Sequence, residues 1–138
     1  MKSRIPVIAA LAVLTLAACT SHKPVPPPPP PVANNNPVTV FFDYGKSNLT
    51  AAAADLVADA LTRNGHLPGH ETVTGYCDTA EHNCKSLALR RADAVRDEMV
   101  RRGMPAAAID VRGSMDLLVS TGPHVREPQN RRAVIDPR

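Results

Sequence analysis

The sequence has no long hydrophobic run and few aromatic residues. Its longest apolar stretch, about fourteen residues that follow Lys2 and Arg4, is too short for a comfortable membrane span. A short basic start before such a stretch is typical of a secretory signal, so we predict export rather than a membrane-spanning helix. With no tryptophan, two tyrosines and two phenylalanines, the chain must build its core from aliphatic side chains.

The apolar stretch closes with Leu16-Ala17-Ala18-Cys19, which resembles the bacterial lipoprotein box. In that family the signal is cut before the cysteine, whose thiol and new amine are acylated. The resemblance implies a signal peptide over residues 1–18 and a lipidated Cys19 that anchors the protein in lipid. Thr20 follows the cysteine instead of aspartate, which implies the outer membrane. An ordinary signal peptide with a cysteine nearby is the alternative.

Residues 19–37 contain six consecutive prolines, Pro26 to Pro31. Such a run forms neither a helix nor a strand and favours an extended polyproline II rod. Between an anchor and a domain, we interpret this segment as a tether. A proline run can also be a docking ligand for aromatic grooves.

The chain also lacks a large net charge once the predicted signal peptide is removed. Without Lys2 and Arg4, 14 of the 16 lysines and arginines remain, against 13 acidic residues. A nearly neutral exported chain gives little reason to expect a nucleic-acid partner. The remaining hundred or so residues, 38–138, are enough for one compact domain.

The domain reads as β-α-β-α-β-β. β-branched and aromatic runs predict strands, and three- and four-residue apolar spacing predicts helices. Ser47 or Thr50 can cap the first helix, whose apolar side contains Leu56, and Gly65 and Gly103 are expected to end the two helices. This order predicts helices packed on one mixed sheet, a two-layer α/β sandwich. The expected strands are residues 38–42, 71–77, 109–113 and 132–135, and the expected helices are residues 51–64 and 83–102.

Arg91 stands out in the long helix because it shares the apolar stripe of Leu87 and Val95 and has no acidic residue three or four positions away. A guanidinium on an inward face needs a carboxylate from elsewhere, unless its head reaches water at the edge of the stripe. Asp78 ends the second strand and is the natural remote partner, although it can also be a simple turn residue. Together the two side chains can hold a zwitterion.

Five motifs in this domain resemble, in order, those of OmpA-like peptidoglycan-binding domains. They are Phe42-Asp43-Tyr44-Gly45-Lys46-Ser47-Asn48-Leu49, Gly75-Tyr76-Cys77-Asp78-Thr79, the helix Leu87 to Val95, Gly103-Met104-Pro105 with Ile109, and Asn130-Arg131-Arg132. Tyr76 and Cys77 stand where the family has histidine and threonine. The turn before the arginine pair is also about two residues shorter and lacks the family's glycine.

The resemblance implies a binding protein with no catalytic residues and no cofactor. It implies that Asp78 and Arg91 hold diaminopimelate, the charged residue of the peptidoglycan stem peptide. Tyr44 and Gly45 in the loop after the first strand, Thr79, Asn130 and Arg131 would form or support the rest of the pocket.

Cys77 and Cys84 bracket the shortened turn. In an exported protein we expect a disulfide between them, which would hold Asp78 and the start of the long helix. A zinc site is the rival, with His82 and either His66 or His70 as further ligands, but the spacing matches no recurrent zinc pattern. Free thiols are the third possibility.

The sequence therefore predicts an outer-membrane lipoprotein whose periplasmic domain binds peptidoglycan non-covalently and links membrane to wall. The alternative is a module that keeps the fold but binds an envelope protein through residues 114–129. A metal-binding or redox lipoprotein would depend on the cysteines alone.

Overall fold

The computed structural model describes residues 36–63 and 69–138. The predicted signal peptide, Cys19 and nearly all of the predicted tether lie outside these residues, as does Gly65. No helix in the described part of the chain is long and apolar enough to cross a membrane.

Strands and helices follow the predicted order within the described residues. The elements are β1 (Val38–Phe41), α1 (Ala51–Arg63), β2 (Glu71–Gly75), α2 (Cys84–Arg101), β3 (Ile109–Gly113) and β4 (Arg132–Pro137), with two short 3-10 turns, Ala106–Ala108 and Pro128–Asn130. Boundaries differ from the sequence-based ones by one or two residues.

The four strands form one mixed sheet in the order β1-β4-β2-β3. β4 lies between β1 and β2 and is antiparallel to both, whereas β2 and β3 are parallel and are connected through α2. As a result, β1, β2 and β3 all end at the edge of the sheet where β4 begins. The loops that leave these strands meet at that edge.

Both helices bury an aliphatic stripe against one face of the sheet. The Thr50 hydroxyl accepts a hydrogen bond from the Ala53 amide at 3.2 Å and caps α1, as the sequence predicted. Leu56, expected on the buried side of α1, is 42% exposed instead, and Ala53 takes its place in the core. The core cluster is aliphatic apart from Phe42: Val40, Phe42, Ala53, Val57, Ala60, Leu61, Val73, Ala92, Val95, Met99, Ile109, Ala133 and Ile135.

Gly75, the last residue of β2, lets this strand approach α2 closely. A β-carbon at this position would collide with the carbonyl of Ala88. At the other end of α2, Gly103 adopts a φ of 102° and its amide bonds to the carbonyl of Val100, so the helix ends where the sequence predicted. The first turns of α2 are therefore held against the end of β2, where the predicted site residues lie.

Candidate ligand-binding site

The predicted site lies at the edge of the sheet where β1, β2 and β3 end. Three loops meet there, residues 42–50, 76–83 and 114–131, and α2 contributes Arg91 from below. Several hydrogen bonds join the loops: the Tyr44 hydroxyl donates to the Ala80 carbonyl at 2.7 Å, and the Thr79 hydroxyl donates to the Gly122 carbonyl at 2.7 Å.

Arg91 is the largest fully buried side chain described, with no exposed surface. Each of its five N–H groups has an acceptor, so the guanidinium is fully hydrogen-bonded inside the protein. Nε donates to Lys46 O (2.9 Å), Nη1 to Tyr76 O (2.8 Å) and Glu81 Oε2 (2.8 Å), and Nη2 to Asp43 O (3.2 Å) and Glu81 Oε1 (2.7 Å). Arg91 is thus inward, as predicted, and does not reach water at the edge of its stripe.

The carboxylate that neutralises Arg91 belongs to Glu81. This corrects the prediction that Asp78 is the partner of Arg91. Both Glu81 oxygens bind the guanidinium in a two-pronged ion pair, and neither side chain has exposed surface. Oε1 also accepts from the Gly45 amide at 2.7 Å, and Oε2 from the Asp78 amide at 3.0 Å. A carboxylate with four such donors suits a buried charge, because its lone pairs are all satisfied.

Asp78 is also fully buried, but it pairs with Arg131. Its Oδ2 lies 3.0 Å from Arg131 Nη1 and accepts from the Glu127 amide at 3.3 Å, while Oδ1 accepts from the Ala80 amide at 2.8 Å. The prediction that Arg131 supports the site therefore has a direct geometric counterpart. Asp78 and Arg91 lie in one network, since the backbone amide of Asp78 and the guanidinium of Arg91 both donate to the carboxylate of Glu81.

The other predicted pocket residues hold the loops together. Tyr44 packs its ring under the guanidinium of Arg126, 4.0 Å from the ring centre. Gly45 reaches Glu81 with a φ of 68°, a conformation that few side chains tolerate. Thr79 accepts from the Val125 amide at 3.2 Å.

Asn130 is fully buried and anchors the loop of residues 114–131. Its side-chain oxygen accepts from the amides of Leu118 (2.8 Å) and Val119 (2.9 Å), and its nitrogen donates to Val119 O at 2.9 Å. These three bonds satisfy backbone groups of the loop that have no strand to pair with. The Asn130 side chain thereby holds the loop at the end of the sheet.

Arg132 lies beside the same edge and stacks on the ring of Tyr76 at 3.9 Å from its centre. Burial lowers the pKa of the Arg132 guanidinium, and the neighbouring Tyr76 partly opposes that effect.

A disulfide joins Cys77 and Cys84, with their α-carbons 5.7 Å apart, as predicted. Asp78 and Glu81 both lie inside this small ring. The bond also consumes the two thiols on which a zinc site would depend. Within residues 36–63 and 69–138, no group of three or more His, Cys, Asp or Glu side chains is arranged to hold a metal ion.

Two surface depressions flank the buried network. One, of about 510 Å³, lies over the start of α2 and is lined by Asn83, Cys84, Lys85, Ser86, Arg90 and Met115. The other, of about 400 Å³, lies along the end of β1 and is lined by Phe41, Phe42, Asp43, Thr50, Pro128, Gln129 and Arg131. The second reaches Arg131, so it ends one side chain away from Asp78.

Sequence reasoning missed Glu81. The relevant signal was present: Arg91 needed a remote acid, and the turn between β2 and α2 offers two, Asp78 and Glu81. Choosing between them requires the path of the turn, which no residue spacing specifies.

Known proteins of similar sequence share this domain. The model of the OmpA family matches residues 41–131. An outer membrane protein of Gluconacetobacter diazotrophicus is 41% identical over 107 residues, which cover 70% of this chain and 28% of that protein. Outer membrane protein A of Yersinia pseudotuberculosis is 33% identical over 102 residues, 70% of this chain and 29% of its own length. The chain thus spans less than a third of these relatives.

Solved structures confirm the predicted fold class, a two-layer α/β arrangement on a mixed sheet. The peptidoglycan-associated lipoprotein from Burkholderia pseudomallei superimposes with a TM-score of 0.62 at 23% identity, over 72% of this chain and 89% of that one. The cell wall anchor of the type VI secretion system from Pseudomonas aeruginosa gives a TM-score of 0.58 at 19% identity, over 72% and 78%.

Proposed function

The chain belongs to the OmpA family, and on that premise we propose that it binds peptidoglycan non-covalently and anchors the outer membrane to the cell wall. OmpA-like domains are structural and binding modules rather than enzymes, so the proposal includes no reaction. The relatives that support it are named outer membrane proteins, a peptidoglycan-associated lipoprotein and a cell wall anchor.

Asp78 and Arg91 carry the proposed recognition of diaminopimelate. The observation that supports them is their shared network: the Arg91 guanidinium and the backbone amide of Asp78 both donate to the Glu81 carboxylate, so both residues lie beside one carboxylate at the end of the sheet. In the proposed complex the aspartate accepts from the ammonium of the ligand, and the guanidinium binds its carboxylate. Tyr44, Gly45, Thr79, Asn130 and Arg131 shape the loops around them.

The proposal also includes the membrane end of the chain. Cys19 would carry the acyl chains after removal of residues 1–18, and the proline run would extend the domain away from the outer membrane into the periplasm. Labelling with a radioactive fatty acid, compared between the wild type and Cys19→Ser, tests this part separately.

Co-sedimentation with purified diaminopimelate-type peptidoglycan tests the binding function. A soluble form that begins at residue 19 and carries Cys19→Ser would be compared with versions that add Asp78→Asn or Arg91→Lys. Both substitutions keep the side-chain size but remove a charge or the two-pronged donor. Asp59→Asn and Arg96→Lys, on exposed helix faces, are matched controls. We expect the parent and both controls to sediment with the wall and the two site variants to remain in solution.

A second candidate function is the envelope interaction module. The observation that favours it is the closure of the site: Asp78 and Arg91 have no exposed surface. In addition, the loop over the site exposes three large apolar side chains, Met115 (58%), Leu118 (57%) and Val125 (44%). If the folded parent stays in solution with peptidoglycan, the wall-binding proposal fails. Protection of the three loop residues from hydrogen exchange by an envelope extract would then support a protein partner.

A further inference from the structure

We propose that Glu81 is an internal stand-in for the carboxylate of the ligand, and that a ligand reaches Arg91 only by displacing it. This inference rests on the proposed wall-binding function and adds to it the residue that controls access to the site.

The ion pair of Arg91 and Glu81 is saturated with hydrogen bonds. Arg91 has five N–H donors and five acceptors in the structure, and the two oxygens of Glu81 accept four hydrogen bonds. Neither side chain has exposed surface. A ligand carboxylate therefore cannot be added to this arrangement, because no donor of Arg91 is left for it.

The donors around the Glu81 carboxylate also define the kind of group that could replace it. The two Arg91 nitrogens and the amides of Gly45 and Asp78 all point at this carboxylate, over 2.7–3.0 Å. A planar guanidinium together with two backbone N–H groups forms a receptor for any carboxylate, since these donors do not depend on the chain that supplies the acceptor.

Glu81 is placed where it can leave. It lies in the turn between β2 and α2, and the next two residues, His82 and Asn83, are exposed. Rotation of its side chain towards them would release the four donors without unwinding a helix or strand. The disulfide between Cys77 and Cys84 keeps the ends of the turn together while this happens.

The neighbouring Asp78 carboxylate, unlike that of Glu81, is not saturated with hydrogen bonds. Its two oxygens accept three hydrogen bonds, one fewer than a carboxylate can accept. Once the turn opens, an ammonium group finds a free acceptor position at Asp78, whereas a carboxylate at Arg91 requires exchange. The site would select ligands that carry a free carboxylate strong enough to compete with Glu81, and it would reject ligands in which that carboxylate is an amide.

Glu81→Ala provides the test, because it removes the internal carboxylate and leaves the donors in place. We would measure the Tm of the soluble form described above with sodium acetate, with sodium chloride at equal ionic strength, and with a stem tripeptide that ends in diaminopimelate. Glu98→Ala removes a buried carboxylate at the far end of α2 and is the matched control. Glu81→Ser, which also leaves the donors free, repeats the measurement if the alanine variant does not fold.

If the inference is correct, acetate raises the Tm of Glu81→Ala but not of the parent or of Glu98→Ala, because a ligand stabilises only the form that binds it. The tripeptide should bind the Glu81 variant about tenfold more tightly than the parent, or better, since it no longer competes with a charged hydrogen-bonded group. A tripeptide with an amidated carboxylate should lose this gain.

Two outcomes would overturn the inference. If the parent binds the tripeptide as tightly as the Glu81 variants do, the ligand does not compete with Glu81. If acetate has no selective effect on either Glu81 variant, the cavity is not a carboxylate site. Rescue by acetate without any tripeptide binding would instead show that the carboxylate receptor is real but that the wall-binding function is wrong, so Glu81 would be only a structural counter-ion.

Discussion

Two glutamates are buried along α2, one just before the helix and one in its last turn, and they are neutralised in opposite ways. Glu81 pairs with Arg91, and neither side chain is exposed. Glu98 is 4% exposed, but its partners Arg101 and Arg102 are 68% and 38% exposed, and both lie three or four residues further along the same helix. The first pair is enclosed between two loops, residues 42–50 and 76–83, and the second pair is in contact with solvent.

The difference shows that burial of the carboxylate alone does not decide how much an ion pair contributes to the stability of the fold. Where the arginines remain in water, their hydration survives the loss of the partner, and the pair contributes little. Where both charges are enclosed, removing either leaves the other without compensation, which is costly even if the intact pair adds little net stability.

Replacing Arg91 with alanine should be the most damaging single change in the domain. It leaves the Glu81 carboxylate buried beside two backbone amides, and the loss should be about 3–5 kcal/mol in the free energy of unfolding. Arg101→Ala, at the solvent-exposed end, should cost less than about 0.5 kcal/mol. Urea denaturation followed by circular dichroism measures both.

The double variant Arg91→Leu with Glu81→Leu is the control, because it removes both charges together. It should recover a large part of the loss if an unpaired charge is the cause. Equal costs for Arg91→Ala and Arg101→Ala would contradict the view that enclosure of both partners matters.

The fold was predictable because its signals are local. β-branched and aromatic runs located the strands, three- or four-residue apolar spacing located the two helices, and Thr50 and Gly103 marked helix ends that the structure confirms. The Arg102–Glu98 pair is also local, since its spacing alone brings the groups together. The Arg91–Glu81 pair is not, because it depends on how the eight-residue turn between β2 and α2 folds back over the helix. Leu56 was misplaced for a related reason: periodicity defines a stripe but not which edge of it faces the sheet.

Loss of the disulfide should have the second largest effect on the free energy of unfolding. It should act only at the end of α2 where Glu81 and Arg91 lie. The Cys77→Ala and Cys84→Ala double variant opens a short ring that contains Asp78 and Glu81, and loop-entropy models give roughly 2–3 kcal/mol for such a ring. Urea denaturation with and without dithiothreitol checks the value.

The reductant should destabilise the parent and leave the double variant unchanged. If the parent has the same unfolding midpoint in both conditions, the bond does not stabilise the turn. The Arg91–Glu81 pair would then be held by the loops alone.

Asn130→Ala should have an intermediate effect, because this side chain is enclosed but neutral. It removes the acceptor for the Leu118 and Val119 amides and should cost about 1–2 kcal/mol. Hydrogen exchange at these two amides should accelerate more than exchange in β2. Gln129→Ala, its exposed neighbour, is the control, and equal exchange rates in the two variants would show that Asn130 does not anchor the loop.

Glu98→Gln should also have a small effect, below about 1 kcal/mol, and that effect should shrink further at high salt. The arginines opposite Glu98 are in contact with solvent, so ions at about 1 M, where the screening length is roughly 3 Å, replace the lost partner. The cost of Arg91→Ala should persist under the same conditions, because salt does not enter a site without exposed surface. Urea titrations of both variants at low and high salt test the contrast directly. If salt reduced the two losses in the same proportion, the Arg91 site would be open to ions, and enclosure would not distinguish the two ion pairs.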